Sequence, residues 1–231
     1  MDDRQDNLGR PLIPGPAGGL VVTLFALVLA ILVAQLALLL AGGAGVIRYT
    51  DHGMAPWPFI LLALCSCSGF IGVSVLLGIL FRGRLLLSVR SSDLLPTAGG
   101  FGAILLVNVA MTALSNRIGE DYSGAPDLGP GGMAAAGVVL AAVVLAPLAE
   151  ELFFREMLLT RALAGSPRWL AVATTAAAFG ALHLAVGGVV LMLTLTFMGA
   201  VLAWLRFRTG SLGPPILVHA LNNAVALALL S

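Results

Sequence analysis

Apolar residues gather into seven long runs, at about 18–42, 56–81, 95–114, 131–160, 168–186, 188–206 and 213–230, separated by short polar or Gly/Pro-rich stretches. Crossing a hydrocarbon core takes ~20 mostly apolar residues in a helix, and each run is near or above that length. The pattern predicts an all-α fold, a polytopic membrane helix bundle of about seven transmembrane helices. The polar leader "MDDRQDNLGRPLIPGPAGG" has no basic start, and the first run is too long for a signal-peptide core. It is therefore expected to be an uncleaved first span behind a polar tail, residues 1–17. The stretch "GEDYSGAPDLGPGG" between the third and fourth runs is a surface loop by composition. No repeat and no soluble block interrupts the rest, so residues 1–231 are expected to form a single integral membrane domain.

Composition agrees with the pattern. The chain is 59% hydrophobic and only 10% charged, with a mean hydropathy of +1.04. Its net charge is +1 and it has no basic tract, which argues against a nucleic-acid partner and leaves the lipid bilayer as the surrounding. Cys65 and Cys67 lie two apart in one run, where helical geometry turns them about 200° from each other. They read as small apolar packing residues and not as a disulfide.

All twelve basic residues are arginine, a composition that points to a bacterium and so to its inner membrane. With Arg155 set aside, the arginines at 4, 10, 82, 84, 90, 161, 168, 206 and 208 fall in the tail and alternate loops of one side, and only Arg48 and Arg117 on the other. Positive charge is retained on the cytoplasmic side, so the N-terminus is expected inside and the C-terminus outside.

Against this background "LAEELFFRE" (148–156) stands out, with Glu150, Glu151, Arg155 and Glu156 in one apolar run. Each ionisable group in a membrane span costs roughly 2.5–3.5 kcal/mol and calls for a partner or a function. Glu151 and Arg155 are four apart on one helix face, placed for an ion pair. Glu150 lies about 100° round the helix, outside that pair. Pro147 removes a backbone donor three residues earlier and is expected to kink the helix there. A charged helix end anchored at the interface is the plainer reading of this cluster, and the histidines weigh against it.

Glu150 and His183 are symmetrically disposed about Ser166–Pro167 in the turn-like "AGSPR". An antiparallel hairpin about that turn brings both to nearly the same depth. The last run contains "HALNN", placing His219 and Asn223 on one face, with Asn222 about 100° away. These parts compose an acid–base hydrolase: a carboxylate to take a proton from water, imidazoles to orient that water or donate to the leaving group, and Asn223 to donate to an oxyanion. No serine or cysteine is placed beside a base as a nucleophile. The same Glu, His, His set also has the make-up of a zinc site with one open position.

"EELFFR", "FGALH" (179–183) and "HALNN" (219–223) match the patterns EExxxR, FxxxH and HxxxN. In that order on apolar helices, over about residues 131–227, they resemble the signatures of the CAAX proteases and bacteriocin-processing enzymes, glutamic intramembrane endopeptidases. The resemblance implies that Glu150 activates water, that His183, His219 and Asn223 complete the catalytic site, and that Glu151 and Arg155 support it. It implies a mechanism without a metal or other cofactor, and a membrane-associated protein or peptide as substrate. Two other classes fit a polytopic bundle: a non-catalytic scaffold or immunity-type protein, which has no need of the polar set, and a proton-coupled transporter. The latter usually shows broken helices in two corresponding halves, whereas here the polar residues crowd into one.

Overall fold

The computed structural model describes residues 16–43, 49–50, 53–81, 87–119, 128 and 132–230. The N-terminal tail, most of the Gly/Pro-rich loop and Arg4, Arg10, Arg48, Arg82 and Arg84 lie outside them. Seven helical segments follow in order: α1 (Pro16–Gly43), α2 (Pro56–Phe81), α3 (Leu94–Ile118), a composite α4 (132–162), α5 (Arg168–Ala181), α6 (Leu184–Thr209) and α7 (Gly213–Leu230). A two-residue antiparallel hairpin, Tyr49–Thr50 with Gly53–Met54, joins α1 to α2. The protein is an all-α membrane helix bundle. Among the described residues four helical stretches are long and apolar enough to cross a bilayer: Pro56–Leu76, Ser91–Ile118, Gly132–Thr160 and Gly187–Thr209.

The fifth run ends sooner than its apolar pattern suggests. α5 stops at Ala181, and its 14 residues reach about 21 Å, short of a ~30 Å hydrocarbon core. The chain turns at Leu182–His183 and restarts at Leu184, with a break inside α6 where Gly187 and Gly188 leave helical geometry. Gly188 has φ 69°, a conformation that side chains with a Cβ rarely adopt. α5 and α6 then run antiparallel in close contact. A Cβ on Gly180 would fall on Thr196 Oγ1 and lie 2.5 Å from the Met192 carbonyl, so this approach requires glycine.

α4 changes register twice. Gly132–Val139 is α-helical, Leu140–Leu145 is π-helical, Ala146–Glu151 is α-helical and Leu152–Ala162 is π-helical. The first wide turn directly precedes Pro147, which has no N–H to offer the ladder.

The core beneath the site is aromatic. Phe70 of α2, Phe153 and Phe154 of α4 and Phe179 of α5 stack with ring centroids 5.0–5.9 Å apart, mostly edge to face. A second cluster, Ile104, Met198, Leu202, Leu205 and Val218, ties α3, α6 and α7 together.

Candidate active site

The hairpin register expected from the 166–167 turn is present. Phe154 and Phe179 are symmetric about that turn, and their rings meet at 5.2 Å. Glu150 and His183 each lie four residues farther from the turn than these phenylalanines, one helical turn deeper on their own chains. His183 sits in the two-residue turn that ends α5, and its ring lies 5.2 Å from that of Phe179. His219, from the second turn of α7, meets Phe179 from another side at 5.7 Å. Phe179 is thus a common wall for the two imidazoles, and the first residue of "FGALH" has a physical task.

The two adjacent glutamates have unlike surroundings. Glu151 is fully buried, with Arg155 Nε 3.1 Å from Oε2 and His219 Nδ1 3.0 Å from Oε1. The arginine contact is an ion pair made off the N–H axis and not a hydrogen bond. Arg155, also fully buried, donates through Nη2 to the Gly199 carbonyl at 3.3 Å and lays its guanidinium over Phe179 at 4.7 Å and Phe154 at 5.6 Å. The side chain of Glu150 keeps 15% exposure, and His219 Nε2 lies 3.8 Å from its Oε2.

Hydrogen-bond polarity fixes both imidazoles. A carbonyl only accepts, so His183 donates Nδ1–H to the Phe179 carbonyl at 2.9 Å. The Glu151 carboxylate likewise takes the Nδ1–H of His219. With Nδ1 carrying a proton, Nε2 is the remaining ring atom, and it offers a lone pair when the ring is neutral. Asn223 donates Nδ2–H to the Ala142 carbonyl at 2.9 Å, joining α7 to the first wide turn of α4.

Several contacts have no counterpart in the sequence reading. Glu156 accepts a bond of 2.8 Å from Arg206 Nη2, a buried ion pair across 50 residues. The apolar pattern puts Arg206 in a loop, whereas the residue is buried in the last turn of α6. Glu151 holds His219 as well as Arg155. Asn222, set aside on helical angle, is buried, accepts from Asn108 of α3 and donates to Asn223. An isolated amide in the apolar "LLVNVAMT" was the available signal for Asn108.

Glu150, His183 and His219 do not form a metal-ligand set: among the described residues no three His, Cys, Asp or Glu side chains are placed to hold an ion. Residues 132–225 match the family model described as Type II CAAX prenyl endopeptidase Rce1-like. Over this segment, less than half of its length, the chain is similar to that family. No curated protein and no solved structure matches the chain. The matched segment contains all three motifs and every candidate residue named from them, and the four long apolar helices agree with an integral membrane protein.

Proposed function

We propose that the protein is an intramembrane glutamic endopeptidase that cleaves a peptide bond of a membrane-associated protein or peptide with water activated by Glu150. The observation that carries this reading is the division of labour between neighbouring glutamates. Glu151 is committed to Arg155 and His219, and Glu150, partly exposed, faces the Nε2 lone pair of His219 at 3.8 Å. That separation is beyond a direct hydrogen bond and sets two acceptors against each other. A water donating one hydrogen to each would satisfy both and present its oxygen lone pair outward.

As that oxygen adds to the scissile carbonyl carbon, Glu150 takes the proton. The oxyanion receives a hydrogen bond from the Asn223 amide. Collapse breaks the C–N bond, and the proton held by Glu150 passes to the leaving amine, directly or through an imidazole Nε2. His183, with its own Nε2 lone pair, lines the same wall as His219. Glu151 and Arg155 position these groups without touching substrate.

The mechanism uses no metal. Protein reconstituted in liposomes with a quenched-fluorescent farnesylated CAAX peptide is expected to keep full activity after exhaustive chelation; loss on chelation with recovery on added zinc would overturn it.

The arginine distribution supports a bacterial inner-membrane protein with the N-terminus in the cytoplasm. Reporter fusions after Arg90, Tyr122, Pro167 and Ser231 are expected to read inside, outside, inside and outside. Reversal at Ser231 would mean a different number of spans.

A further inference from the structure

One carbonyl of α4 is left over by the register change. Ala146 donates its N–H to Ala141, five residues back, and Pro147 has no N–H. Neither the residue four on from Ala142 nor the residue five on therefore supplies its carbonyl with a donor. Asn223 fills the vacancy from α7 at 2.9 Å.

That bond sets the sense of a chain of amides. Because the carbonyl accepts, Asn223 must turn its NH2 toward it, which leaves Oδ1 facing Asn222. Asn222 donates its own NH2 to that oxygen at 3.4 Å. Its Oδ1 in turn accepts from Asn108 Nδ2 at 2.8 Å. Three side chains from α3 and α7 thus run head to tail, all donors pointing toward Ala142.

We propose that Asn108 is a positioning residue for the site: through Asn222 it holds the Asn223 amide in one of its two flip states and so aims the second Nδ2–H. This rests on the reading of Asn223 as oxyanion donor. It also assigns a part in the reaction to α3, which lies outside the family-matched segment 132–225. Reversing the Asn223 amide would set its oxygen against the Ala142 carbonyl and its NH2 against that of Asn222, two repulsive contacts at once. With Asn108 absent, Asn222 loses its fixed sense, and Asn223 is held at one end only.

The test has two arms, on full-length protein. In the first, side-chain amide NMR of 15N-asparagine-labelled protein follows Asn223: Asn108→Leu is expected to shift or broaden its pair of amide resonances. In the second, cleavage of the farnesylated CAAX peptide is measured in a double-mutant cycle. Asn108→Leu should cost about ten- to a hundredfold in kcat alone, and nothing further in an Asn223→Ala background. Asn108→Asp, equal in volume but lacking the amide donor, should behave likewise and serves if the leucine variant does not fold. Unchanged Asn223 resonances, or an equal loss in both backgrounds, would overturn the proposal. If the wild-type protein does not cleave the peptide, the peptidase reading fails for that probe, and the resonances alone decide the coupling.

Discussion

Glu150→Gln is expected to lower peptide cleavage about 10²–10⁴-fold while the protein inserts and folds as before. Gln keeps the size and the hydrogen-bonding capacity of the side chain and loses only basicity. The position tolerates this because Glu150 is not part of the close Arg155–Glu151 pair, keeps some exposure, and stands 3.8 Å from His219 Nε2. Glu151→Gln is a contrasting control. It leaves Arg155 without its carboxylate and weakens the hold on His219, so its loss should come with reduced thermal stability. The measurement is the initial rate on the CAAX peptide, with melting temperature in detergent recorded on the same samples. A Glu150→Gln protein with wild-type rate would remove Glu150 as general base and leave "LAEELFFRE" as a charged helix segment.

That the adjacent glutamates differ was readable from spacing alone, because i and i+4 fix which of them Arg155 can reach. The seven apolar runs became seven helices for a similar reason: in hydrocarbon every backbone polar group must be satisfied within its own segment, so apolar length translates into helix. The turn at Ser166–Pro167 set the α4–α5 register, and the Phe154–Phe179 contact matches it.

What spacing did not reveal depends on breaks hidden by hydropathy and on partners distant in sequence. The run 168–186 stays apolar across the turn at Leu182–His183, so nothing in its hydropathy marks the end of α5. The π-helical turns of α4 alter register without altering composition, and the carbonyl they leave at Ala142 is invisible until the partner of Pro147 is sought. Glu156 finds Arg206 50 residues away, a pairing that only the packing of α6 against α4 decides. Asn108 likewise meets Asn222 across 114 residues.

Arg155→Ala is expected to destabilise the folded protein by roughly 3–5 kcal/mol, because it leaves a buried carboxylate without its counter-ion. Both Glu151 and Arg155 are fully buried, so solvent does not screen the loss. The same change removes the guanidinium from the faces of Phe179 and Phe154 and the donor to the Gly199 carbonyl, and it opens a cavity between α4 and α6. Removing the charge on both sides should repair much of this: Glu151→Gln with Arg155→Met fills the volume and still offers His219 an acceptor. The single variant should melt well below the wild type in detergent and the double variant between them. Equal melting temperatures for the single and double variants would show that the cost of Arg155→Ala is lost packing and not an unpaired charge, and would remove the assignment of Arg155 as the partner that commits Glu151 and leaves Glu150 available for water.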